Sequence, residues 1–195
     1  KNKRKNELNS MQFQSKIIII FSIALFMAGC KKNYVVNEKQ HILFQYEYVN
    51  HAWGYNHEGF FIDDEGNIMT YKNPEGWNFH DKNYNLTENQ LDENISRCTK
   101  SDIKISKDEM ARFSSHIDNI ASSKVTAMKN VAADAGTSVF ICYNFAEESG
   151  IYKGFLIKME GDFSCENLNF YSKKVSLWLK EINNNLSKKQ NASSS

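Results

Sequence analysis

The sequence predicts an α+β domain, an antiparallel sheet of about five strands with about three helices packed mainly on one face. Three observations lead there. Ile42 to Val49 alternates with a period of two. Two helix starts are marked by capping pairs at Thr87 and Ser106. Two runs rich in β-branched and aromatic residues, 137–145 and 151–160, are separated by AEESG. Strands, then helices, then strands, then a helix is the order expected of segregated α+β architecture, and no internal repeat is visible.

The domain is expected to span 41–186. In the first strand Ile42, Phe44, Tyr46 and Tyr48 supply a buried aromatic face, while Gln45 and Glu47 fall on the other side. A ring-rich loop follows at Asn50–His57. Runs 59–63 and 67–72 flank Asp64, Glu65 and Gly66 and predict a hairpin with Gly66 at positive φ. The acidic cluster there lacks the alternating ligand spacing of a calcium loop. Residues 73–84, with the sole proline Pro74, read as a long excursion.

Thr87 with Gln90 and Ser106 with Glu109 are capping boxes, each with apolar residues placed as a staple, Leu86 with Leu91 and Ile105 with Met110. The second helix is expected to run to about Ser122, its stripe Met110, Phe113, Ile117, Ile120 and Ala121 facing the core. Residues 123–136 fit a short helix or a loop. Asp134 to Thr137 is a turn that sets a carboxylate at the head of a strand. The hairpin 137–160 is placed near the sheet centre, and a last helix from about Phe170 to Leu186 turns Tyr171, Val175, Trp178, Leu179, Ile182 and Leu186 to one side. A polar tail, 187–195, is expected to be disordered.

Ile17–Ala28 is an apolar run broken only by Ser22, with Lys16 before it and Gly29, Cys30, Lys31 and Lys32 after it. At roughly a dozen residues it matches the h-region of an export signal and is shorter than the ~20 a membrane-spanning helix needs. Met11 opens a conventional n-region. With Met27, Ala28 and Gly29 leading to Cys30, the segment resembles the signal of bacterial lipoproteins, although that family more often has Leu, Val or Ile where Met27 stands. The resemblance implies residues 1–29 as signal and leader, Cys30 as the lipid attachment site carrying acyl chains such as palmitate, and 30–40 as a lipidated tether. It implies a cell-envelope location, on the outer membrane in a cell with two, since Lys31 is not the Asp that signals retention. A plain signal peptide or an uncleaved anchor helix are the alternatives.

The leader holds five of the 24 basic and one of the 23 acidic residues, which leaves the rest mildly acidic. A domain with no dense basic run lacks the footprint of a nucleic-acid binder. No CxxC, metal-type Cys/His spacing, GxSxG, HExxH or glycine-rich phosphate loop occurs, so no cofactor or metal is signalled. Beyond Cys30, Cys98 and Cys165 lie in connecting segments and are expected to form a disulfide, leaving Cys142 a buried thiol in VFICYNF.

The candidate ligand-binding residues are His51, Trp53, Tyr55 and His57, with Trp77 and His80 in the next loop. Rings with polar edges suit a sugar, a peptide or a protein partner; the plainer readings are a satellite core capping the sheet, or imidazoles around a metal without defined spacing. The function expected is a lipid-anchored, non-catalytic binding module. A small envelope hydrolase and an inhibitor or immunity-type protein are the alternatives.

Overall fold

The computed structural model describes residues 39–193; the leader and Cys30 lie outside the described residues. Strands β1 (Ile42–Asn50), β2 (Asn56–Asp63) and β3 (Asn67–Lys72) form an antiparallel meander. The turn between β2 and β3 is as expected: Gly66 has φ 82° and its amide donates to the Asp63 carbonyl at 3.1 Å. The Asp63 carboxylate accepts from the Asn67 amide at 2.7 Å, which gives that cluster a turn role. After the excursion come β4 (Leu86–Thr87), α1 (Glu88–Ser96), β5 (Thr99–Lys104), α2 (Lys107–Ser114) and α3 (Ile117–Ala121). The remainder is β6 (Lys129–Asn130), β7 (Thr137–Ala146), β8 (Ile151–Gly161), β9 (Phe163–Glu166) and α4 (Ser172–Ser193).

Among the described residues nine strands form one antiparallel sheet in the order β5-β3-β2-β1-β7-β8-β9-β6, with β4 on β8. The five expected strands are its centre. The four additions are short or lack an apolar face; β5, TKSDIK, is mostly exposed and carries no period-two apolar signal. β1 is central, pairing with β2 on one side and β7 on the other.

Both faces of the sheet are closed. On one, Phe44, Phe60, Ile62, Ile68, Phe140 and Ile157 meet α2, α3 and α4. On the other, Phe61, Tyr71, Ile141, Tyr143 and Leu156 are covered by α1, β4 and the 73–85 excursion through Leu91, Leu86, Trp77 and Tyr84. The expectation that Gln45 and Glu47 face away from the core is therefore corrected: both are buried beneath that second cover.

The Thr87 box closes reciprocally, with the Gln90 amide donating to Thr87 Oγ1 at 3.2 Å and the Thr87 amide to Gln90 Oε1 at 3.0 Å. The Ser106 box is half formed. Ser106 Oγ accepts from the Glu109 amide, but the Glu109 side chain turns to the Trp178 indole, whose Nε1 donates to it at 2.7 Å. The helix expected through Ser122 breaks at Ser115 and His116, although Met110, Phe113, Ile117 and Ile120 are all buried as the stripe required. The last helix continues past Leu186 instead of ending there. Residues 187–193 contain no Gly or Pro to stop it, and Lys189 pairs with Asp102 of β5 at 3.1 Å.

The expected Cys98–Cys165 bridge is not formed; Cys98, Cys142 and Cys165 are free. Cys98 immediately precedes β5 while Cys165 is in β9, six places away in the sheet. At ~4.8 Å per strand that span far exceeds the ~7 Å limit between bridged Cα atoms. The Cys98 thiol instead donates to the Asn94 carbonyl, and burial pushes its pKa up to about 12.

Candidate functional site

Glu47 and His57 point from β1 and β2 toward the same face, under the excursion. His57 is fully buried and Glu47 is 6% exposed. Because a carboxylate only accepts, His57 Nε2 carries the proton it donates to Glu47 Oε1 at 2.7 Å. His57 Nδ1 is the buried side-chain nitrogen left without a hydrogen-bond partner among the described residues. Rings surround it: Phe79 stacks on the imidazole at 5.3 Å, and Tyr71 and Trp77 stand at 5.2 and 5.4 Å. The backbone is fixed as well, since the His57 amide donates to Asn73 Oδ1 and the Asn73 amide to the His57 carbonyl, both at 2.7 Å.

The excursion brings His80 to the same carboxylate. Its Nδ1 stands 3.9 Å from Glu47 Oε2, and its Nε2 lies 2.9 Å from Gln45 Oε1 and 2.6 Å from the Tyr143 hydroxyl. The Tyr143 hydroxyl donates to Gln45 Oε1, and Gln45 Nε2 donates to the Tyr71 hydroxyl at 3.0 Å. Gly59 makes room for this end of the network, because a Cβ there would stand 2.6 Å from the Tyr71 hydroxyl. Burial holds His80 below the ordinary histidine range, opposed by the carboxylates of Glu47 and Asp81. Burial, reinforced by the Glu47 charge, raises Tyr71 and Tyr143 well above the usual phenol value.

The six candidates thus divide. His57, Trp77 and His80 come together around Glu47. Outward from them His51, Trp53 and Tyr55 form an exposed shelf: Trp53 is 85% exposed, Tyr55 47%, and Phe79 from the excursion 56%. The two halves join through Tyr55, whose ring lies 5.4 Å from His51 and 6.1 Å from His57. Among the described residues no three His, Cys, Asp or Glu side chains are grouped to hold a metal ion.

No family model matches the chain, and neither a curated protein nor a solved structure is found similar to it.

Gln45, Glu47, Tyr71, Phe79 and Tyr143 are members that sequence reasoning did not single out. Their signal was present but indirect. A loop with Trp77, Phe79, His80 and Tyr84 and no regular element needs a surface to cover, and polar residues at alternate positions of a central strand are what such a cover would have to satisfy. Chemically, a histidine bonded to buried Glu47 and roofed by rings is suited to bracing. The residues that present themselves to a partner are those of the shelf.

Proposed function

We propose that the chain is a lipid-anchored, non-catalytic binding module of the bacterial cell envelope, held through acylated Cys30 and recognising a protein, peptide or carbohydrate partner with the shelf His51, Trp53, Tyr55 and Phe79. The observation that carries this reading is the exposure of Trp53, 85%, on a loop whose base is held by the His57–Glu47 pair. An indole left in water has no packing role in the domain, and exposed rings in one loop are the usual mark of an interaction surface. Preorganisation by the buried network lowers the ordering cost of binding. The anchor half rests on the apolar run that ends in Ala28, Gly29 and Cys30.

A photo-crosslinking residue at position 53 of the cell-borne chain, with one at Asp102 on β5 as control, tests the recognition half. A specific adduct at 53 that weakens in Tyr55→Ala and Phe79→Ala supports the reading; identical patterns at both positions overturn it. For the anchor half, Cys30→Ser is expected to release the protein from the membrane fraction, and a mutant that stays membrane-bound and acylated ends that part.

A further inference from the structure

The edge of β8 is incompletely covered. β4 pairs with it at Ile151 and Tyr152, and β9 at Lys158 and Met159. Between those contacts the edge opens into a cleft of about 590 Å³. One end is closed by Asn167, whose amide donates to the Ile157 carbonyl at 3.0 Å. At the other end Tyr84, at φ 63°, lies against β8 just before the chain enters β4. This wall depends on Gly154, because a Cβ there would stand 2.1 Å from the Tyr84 carbonyl oxygen.

Ile120, Phe155, Leu156 and the Cys165 thiol line the interior, and Val125 and Met128 stand on the rim exposed to water. Lys82 and Lys153 flank the Tyr84–Gly154 contact, and no carboxylate lines the cleft. Neither lysine is in an ion pair among the described residues. The nearest acid in sequence, Asp81, has its carboxylate taken by the Asn83 and Asn85 amides at 2.7 and 2.8 Å and by the Asn85 side chain at 3.1 Å. Asp118 on the helix face accepts from Asn144, the cross-strand neighbour of Lys153, at 3.4 Å.

We propose that this cleft binds a single-chain amphipathic anion, its apolar chain laid along Phe155 and Leu156 and its carboxylate between Lys82 and Lys153. The volume is that of a small-molecule site, and a mostly apolar lining with a few convergent polar groups is what such sites share. Two lysines without an ion pair line the cleft and no carboxylate does, which selects the sign of the head group. The exposed side chains of Val125 and Met128 give the chain a lid that leaves water on binding.

The test uses the full chain, with decanoate as probe and decanol as its uncharged counterpart, followed through the Met128 methyl resonance and by calorimetry. Saturable decanoate binding that shifts the Met128 methyl is expected, with decanol weaker. Replacing both lysines, K82A with K153A, is expected to lower decanoate affinity about tenfold while leaving decanol unchanged, each exposed pair being worth up to about fivefold. Met128→Glu, at an exposed rim position that the fold does not depend on, is expected to weaken decanoate more than decanol. Equal binding of the two probes, an unmoved Met128 methyl, or decanoate affinity unaffected by the double substitution each overturns the proposal.

Discussion

The two faces of the sheet are closed by different physics. On the helix face α2, α3 and α4 set an apolar layer against the strands, with Trp178 stacked on Phe113 at 4.1 Å and edge-on to Phe44 at 5.2 Å. On the other face a segment with little regular structure does the covering, and beneath it lie Gln45, Glu47, His57 and His80 in a connected network. A helix satisfies its own backbone, so it needs only an apolar stripe to dock. An irregular cover brings polar groups with it, and the strands beneath must answer them. The helix face should therefore respond to lost volume and the loop face to lost hydrogen-bond partners.

Trp178→Ala is the largest break on the helix face, expected to cost about 4 kcal/mol in urea denaturation from a buried cavity, with Trp178→Phe costing much less. A loss under about 1 kcal/mol would mean that α4 is not part of the cooperative core. On the loop face the contrast is between two substitutions of nearly equal size. Glu47→Met, which keeps the side-chain volume, leaves the His57 Nε2 proton without an acceptor, for about 3 kcal/mol. Glu47→Gln keeps an acceptor for that proton and should cost about 1 kcal/mol. Equal losses would show that volume governs this face too. The smallest effect is a pH slope. His80 is held below the usual histidine value by burial, so the unfolded chain binds the proton more readily. The stability conferred by neutral His80 is whole above pH ~6.5 and is lost as the pH falls from there through the lower folded-state value. His80→Gln should flatten the decline of the urea midpoint between pH 7 and 5; an unchanged slope assigns the titration to another group.

What could be seen in the sequence followed the same division. The helix-face stripe Met110, Phe113, Ile117, Ile120 and the α4 positions were legible because helical periodicity is local, as were the Gly66 turn and the Thr87 box. The burial of Gln45 and Glu47 was not, since it is imposed by residues about thirty positions further on, and period two in β1 says only that its two sides differ. The ring cluster was recognised as a group, but nothing in the order His51, Trp53, Tyr55, His57 separates the exposed members from the buried one; strand register does that. Cys98 and Cys165 misled because lying in connecting segments is a condition for pairing that carries no information on distance.

The pairing of β1 with β7 also sets a timetable. Gln45 and Tyr143, linked in the finished network, are 98 residues apart. At a synthesis rate of ~5–20 residues per second the β1 edge waits about 5 to 20 s for its partner. A meander β1-β2-β3 that pairs within that interval leaves one side of β1, with Phe44 and Tyr46, as unpaired backbone open to any other strand. The hazard in making this protein is therefore concentrated at a strand that is innermost once folding ends, and substitutions that slow the arrival of β7 should reduce yield without altering the stability of the folded domain.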